Sequence, residues 1–195
     1  MSAQGNTSTQ SFIVWQDAFS PQELDVIVAY GDRLRLEKAD VEYEAGQGPG
    51  GEPVRITRTA WIGRDAQTRW IYERLERIAR AINEQVYRYD LVGFSEPLQY
   101  TVYFGDEGGH FDWHADQIDA AMQRKLSFSL QLSDGDAYQG CDLEIFGGSS
   151  RVPIPAPRQR GALIAFPSYV MHRVTPISAG TRKALVFWCA GPRFR

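Results

Sequence analysis

The stretch Leu98-Gln-Tyr-Thr-Val-Tyr-Phe104 opens the series of short β-type runs that decides the fold. Lys125–Leu132, Asp142–Phe146, Arg151–Ile154, Gly161–Phe166 and Arg182–Cys189 follow, separated by Gly, Pro, Asp and Ser clusters. Short apolar runs bounded by turn formers read as strands. Two helices precede them. Ser20-Pro21-Gln22-Glu23 joins a capping box to a proline at the first helical position, and Leu24, Ile27 and Val28 continue at helical spacing toward Leu34. A second helix is predicted from about Ala66 to Tyr87, with Asp65 as N-cap. Its apolar stripe is Trp70 or Ile71, then Leu75, Ile78, Ile82 and Val86, while the charge run Glu73–Arg80 reads as a solvated face. Two helices followed by many strands predict an α+β domain whose β part is a sandwich or jelly roll. A jelly roll leaves a mouth between its sheets, a natural place for a small site.

At 195 residues the chain is sized for one domain of roughly 150 residues or somewhat more. A net charge of −3 gives no electrostatic footprint for nucleic acid or an anionic membrane. The longest apolar run, Ala184–Ala190, is far short of the roughly 20 residues that span a bilayer. Residues 1–10 are small and polar, without the basic and apolar regions of an export signal, and read as a flexible tail. Two cysteines, Cys141 and Cys189, are too few for a disulfide scaffold, so free thiols in a reducing cytoplasm are expected. The Gly-rich stretch Ala45–Pro53 lacks the Lys-Ser/Thr of a phosphate loop. It reads as either a mobile connection or a lid over a site.

The chain has three histidines, His110, His114 and His172. His114-Ala-Asp116 sets an imidazole and a carboxylate two residues apart, on one side of an extended chain. His172 lies in another β-like segment. Two histidines and one carboxylate on one face form the facial triad of non-haem Fe(II) oxygenases, which leaves coordination positions open. A lone His-x-Asp is weak evidence, and taken alone it is better explained by ordinary surface or core histidines. Arg182, at the start of an apolar strand, needs a partner when buried. A co-substrate carboxylate and a structural ion pair both satisfy that need.

Several ordered blocks together resemble a family. They are Leu98–Tyr103, Phe111-Asp-Trp-His-Ala-Asp116, Arg124–Ser133, Tyr138–Glu144, Phe166–Pro176 and Gly180–Trp188. The chain resembles the iron- and 2-oxoglutarate-dependent dioxygenases, closest to the prolyl-4-hydroxylase-like (PKHD-type) hydroxylases. The resemblance implies a double-stranded β-helix, that is, a jelly roll, backed by the N-terminal helices. Residues 11–97 would then be helical and loop support, and residues 98–195 the catalytic β core. It implies His114, Asp116 and His172 as iron ligands and Arg182 as partner of the distal carboxylate of 2-oxoglutarate. Tyr103, or Tyr100 in its place, and Gln131 would contact the same co-substrate. Cys141 stands where the family usually has the second glycine of a turn. The implied cofactors are Fe(II), 2-oxoglutarate and O2, with ascorbate as reductant. The implied reaction hydroxylates a C–H bond of a prolyl or other amino-acid residue in a peptide or protein. A free amino acid or other small molecule is the alternative substrate. From another class, a non-catalytic cupin-like metal module would not need Arg182. A nucleic-acid repair dioxygenase is disfavoured, because Trp188 stands where that group has a second arginine.

Overall fold

The computed structural model describes residues 11–39, 54–116, 122–147 and 152–194. The stretch Ala45–Pro53 therefore lies outside the described residues. In chain order the strands are β1 (Ile13–Trp15), β2 (Glu37–Lys38), β3 (Arg55–Ile56), β4 (Arg58–Ile62), β5 (Gly93–Phe94) and β6 (Leu98–Phe104). They continue with β7 (His110–His114), β8 (Met122–Gln131), β9 (Tyr138–Gly140), β10 (Leu143–Phe146) and β11 (Pro153–Pro155). The last three are β12 (Leu163–Pro167), β13 (His172–Val174) and β14 (Ile177–Pro192). Helix α1 (Pro21–Gly31) follows β1, and α2 (Arg69–Ile82) follows β4.

The strands form two antiparallel sheets. The larger runs β1-β12-β8-β14-β6-β4-β2, with β5 and β9 also paired to β14. The smaller runs β11-β10-β13-β7-β3. This is the jelly-roll architecture that the strand series predicts. Strands β1 to β5 were not legible as strands in the sequence. β2, β3 and β5 are two residues long, too short to show alternation.

Alternation on three central strands of the larger sheet separates two environments. Leu98, Tyr100 and Val102 of β6, Leu126 and Leu130 of β8, and Leu185, Phe187 and Cys189 of β14 face the helices and form one core with Leu24, Ile27, Leu75 and Ile78. The alternate residues Gln99, Thr101 and Tyr103, Ser127 and Ser129, and Arg182, Ala184 and Trp188 line a cavity between the sheets. β6 and β8 thus read apolar toward the helices and polar toward the cavity, while β14 is apolar on the helix side and, apart from Arg182, mostly apolar toward the cavity as well, with Val186 also in the lining.

Helix α1 begins where its sequence predicts. The Ser20 hydroxyl accepts from the Glu23 amide, and the Glu23 carboxylate accepts from the Ser20 amide at 2.8 Å. Arg74 of α2 reaches that cap, donating to Glu23 at 3.0 Å and to the Ala18 carbonyl at 3.1 Å. Helix α2 starts later than predicted. The Asp65 carboxylate accepts from the amides of Gln67 and Thr68, which holds residues 66–68 in a turn before the helix. At its other end the chain widens into one π-type turn, Asn83–Tyr87. The Asn83 amide side chain closes that turn by pairing with both backbone groups of Tyr89. No helix among the described residues is long and apolar enough to cross a membrane.

Candidate active site

β7 and β13 are neighbours in the smaller sheet, and their register sets His172 directly opposite His114. Asp116 lies just past the end of β7, where its backbone amide donates to the Ser168 carbonyl at 2.9 Å. Each imidazole is oriented by the backbone. His114 Nδ1 meets the Asp112 carbonyl at 2.7 Å, and His172 Nδ1 meets the Val170 carbonyl at 3.0 Å. A carbonyl only accepts, so both Nδ1 atoms carry the proton and both Nε2 atoms present a lone pair. Those lone pairs converge on Asp116. His114 Nε2 is 3.8 Å from Asp116 Oδ1, and His172 Nε2 is 3.5 Å from Asp116 Oδ2. The three ligand atoms lie within 4.8 Å of one another.

The surroundings hold His114 and Asp116 in the protonation states a divalent metal needs. Burial is the main influence on His114 and pushes its pKa down to about 4; His172 adds to the effect. Burial works against the charge on Asp116, but His172, His114 and the Ser127 hydroxyl outweigh it, so its pKa falls. Ser127 Oγ donates to Asp116 Oδ2 at 2.7 Å and lies 2.9 Å from Ser168 Oγ. Phe111 stacks on the His114 ring at 3.4 Å, and Phe166 packs on His172 at 4.6 Å. Two neutral imidazoles and one carboxylate, sharing a face with an open cavity, fit a non-haem Fe(II) site.

The cavity, about 700 Å³, continues to Arg182 on β14. That side chain is 2% exposed. Its Nη2 donates to Gln131 Oε1 at 3.0 Å, its guanidinium lies 5.5 Å from the Tyr103 ring, and its Nε is buried without a partner. No carboxylate among the described residues pairs with it. A buried guanidinium with a spare donor fits a small dicarboxylate. The Tyr103 phenol is held neutral chiefly by burial. Cys141, in the left-handed region at φ 57°, places its thiol beside Arg182 in a backbone conformation that favours glycine.

His114, Asp116 and His172 are thus brought together in the lining of a cavity that Arg182 and Tyr103 also line, while Gln131 stands behind that lining and meets Arg182 through its side-chain oxygen. Tyr100 is on the opposite face of β6, where its hydroxyl donates to Asp32 at 2.7 Å. Sequence reasoning missed Ser127, Arg55 and Gln99. Ser127 could have been found, because Leu126-Ser-Phe-Ser-Leu130 alternates polar and apolar residues inside a strand. Arg55 offered no such signal, since β3 is too short to display a pattern.

The arrangement fits one class: a jelly-roll fold in which His114, Asp116 and His172 converge, from and just past the smaller sheet, on a cavity that the larger sheet lines with Arg182. The family profile of the 2OG-Fe(II) oxygenase superfamily matches residues 98–190 of the chain. Among its relatives is a PKHD-type hydroxylase of Hyphomonas neptunium, 27% identical over 84% of this chain and 72% of that protein. A Pseudomonas putida prolyl-4-hydroxylase superposes with a TM-score of 0.73 at 20% identity, covering 96% of this chain and 95% of that one. A Trichoplax adhaerens prolyl hydroxylase, solved in complex with a hypoxia inducible factor oxygen degradation domain peptide fragment, superposes at 0.70. Its identity is 18%, and the match covers 93% of this chain and 84% of that one. The enzyme is a dioxygenase of the hydroxylase type.

Proposed function

We propose that this enzyme hydroxylates a C–H bond of a prolyl or other amino-acid residue in a peptide or protein, with succinate and CO2 as co-products. The observation that carries the reading is one cavity joining three convergent metal-ligand atoms to a buried arginine that no carboxylate among the described residues pairs with. The peptide bound by the Trichoplax neighbour supports a peptide substrate. In this reading the described residues and the rest of the chain act as one dioxygenase domain. Its buried free thiols, Cys141 and Cys189, suit a reducing cytoplasm.

His114, Asp116 and His172 would hold Fe(II). Bound iron, with 2-oxoglutarate and O2, supplies the oxidising power for hydroxylation, and ascorbate serves as reductant. The protein's own work is orientation and shielding. The Asp112 and Val170 carbonyls fix both imidazole tautomers, so the Nε2 lone pairs stay aimed inward. Ser127 holds one oxygen of Asp116 and keeps the carboxylate ionised. Arg182 would fix the distal carboxylate of the co-substrate, with Gln131 orienting the guanidinium and the neutral Tyr103 phenol as a second donor. Phe111 and Phe166 cover the imidazoles and exclude water.

Succinate formed under air with Fe(II), ascorbate and a peptide panel, measured against 2-oxoglutarate concentration, tests the reading. Losing one partner of a buried charge pair weakens binding by about 30-fold to a few thousand-fold. Arg182→Ala should raise half-saturation by that factor, and Arg182→Lys should recover only part, because a point charge lacks the bidentate fork. An Arg182→Ala enzyme with unchanged 2-oxoglutarate dependence overturns the assignment. Mass spectrometry of the same panel should show products gaining one oxygen only when 2-oxoglutarate is present.

A further inference from the structure

Three arginines line the cavity: Arg55, Arg124 and Arg182. A buried guanidinium needs a compensating anion. Arg124 has one, since its Nη2 and Nε donate to the two carboxylate oxygens of Glu96 at 2.5 and 3.0 Å. Arg182 is accounted for by the co-substrate. Arg55 is left over. Its guanidinium lies 4.5 Å from the Phe111 ring, and its Nη2 donates to the neutral Gln99 side chain at 3.2 Å. Its Nε is buried with no partner, and it forms no ion pair among the described residues. Of the groups whose field favours its charge, Tyr103 is a phenol and the one carboxylate is Asp116, which the metal site claims.

We infer that Arg55 is the anchor for a carboxylate on the substrate to be hydroxylated. The inference rests on the function proposed above and specifies which substrates the site selects. Distance sets the scale. The guanidinium carbon is 4.5 Å from the centre of Phe111, which is 3.4 Å from the centre of the His114 ring. The guanidinium therefore lies no more than about 8 Å from a ligand imidazole, roughly two extended residues. A carboxylate held there belongs to the reacting residue or its immediate neighbour. An α-carboxylate of a free or C-terminal residue and the side chain of an adjacent Asp or Glu share this chemistry. Gln99 positions the guanidinium but cannot neutralise it, so the carboxylate supplies a charge that no described residue supplies.

Trp61, Trp113 and Trp188 line the same cavity and provide a binding signal. Anaerobic Fe(II)-enzyme saturated with 2-oxoglutarate would be titrated with N-acetyl-proline, N-acetyl-alanine and their primary amides, following tryptophan fluorescence. Acetyl-Ala-Pro-Asp-amide against acetyl-Ala-Pro-Asn-amide separates a side-chain carboxylate from a terminal one. At least one acid should bind about 30-fold or more tightly than its neutral partner. Arg55→Gln should bring the two together by weakening the acid alone, while 2-oxoglutarate affinity stays as in wild type. Arg55→Lys should keep part of the preference, and it serves if Arg55→Gln does not fold. The proposal is overturned if no acid outbinds its neutral partner, or if the preference survives in Arg55→Gln. It also fails if Arg55→Gln weakens 2-oxoglutarate instead. Failure of the parent reading shows separately, as unchanged 2-oxoglutarate affinity in Arg182→Ala.

Discussion

Tyr100 and Tyr103 lie three residues apart on one strand, an odd spacing that sends them to opposite faces. Tyr103 meets the cavity, and Tyr100 meets Asp32 at the end of α1. Lys183, next to Arg182, follows the same rule: its Nζ donates to both oxygens of Asp32 at 2.7 Å, on the helix side of the sheet. Which tyrosine faces the site was decidable only once the pairing of Tyr103 with Arg182 was known. That His114, Asp116 and His172 converge could be expected from the sequence, because two of its only three histidines stand in ordered blocks of the family resemblance. Asp32 carries a pH prediction. Burial is the largest influence and raises its pKa, but Lys183 and Tyr100 outweigh it, so the folded value falls below 3.8. The unfolded chain then takes up the proton first as pH drops, so the contribution is present above 3.8 and lost below it. Asp32 is partly exposed, and the effect should be under about 1 kcal/mol. Urea unfolding of wild type and Asp32→Asn should show a constant gap near neutral pH that closes under acid. A gap that widens on acidification contradicts the assignment.

Helix α2 shows what an element gains from periodicity and what it loses at its ends. Ile71, Leu75, Ile78 and Ile82 recur at helical spacing and are all buried, so the element itself was readable. Its start was not, because Asp65 caps a turn rather than the helix. Its end was not, because the apolar spacing runs on in sequence to Val86, which the π-type turn leaves exposed while changing the hydrogen bonding. Leu75 is fully buried against the larger sheet. Leu75→Ala should cost about 2–5 kcal/mol, through lost burial and the cavity left behind. Gly31 tests the opposite fault. A Cβ there would stand 2.5 Å from the Tyr100 ring, in a place where the ring cannot retreat without disturbing Asp32. Gly31→Ala should cost about 1–3 kcal/mol by overpacking. Both are read from chemical denaturation. A Gly31→Ala protein as stable as wild type would mean that Tyr100 has freedom the packing does not suggest.

At the scale of the whole molecule, the two sheets divide the labour. His114 and His172 belong to the smaller sheet, while Arg182, Tyr103, Gln131 and Ser127 belong to the larger. The strand series foretold two such layers, but not which residues each would contribute, because sheet membership depends on pairings between segments far apart in sequence. Ser127 on β8 donates to Asp116 beyond β7, so this hydrogen bond ties the larger sheet to the convergent cluster on the smaller. A ligand that binds only the folded arrangement stabilises the whole domain, by about 2.7 kcal/mol at 100 times its Kd. Adding Fe(II) anaerobically should therefore raise Tm, and 2-oxoglutarate should raise it further. Asp116→Ala, which removes the carboxylate both imidazoles face, should fold and lose the metal-dependent rise. Arg182→Ala should keep the rise from metal and lose the increment from 2-oxoglutarate, because its guanidinium contacts none of the three ligand side chains. Differential scanning calorimetry of the three proteins with and without each addition reads both effects. If Asp116→Ala retains the full metal-dependent rise, the metal is binding elsewhere. If Arg182→Ala loses both increments, the two sites are not energetically separable.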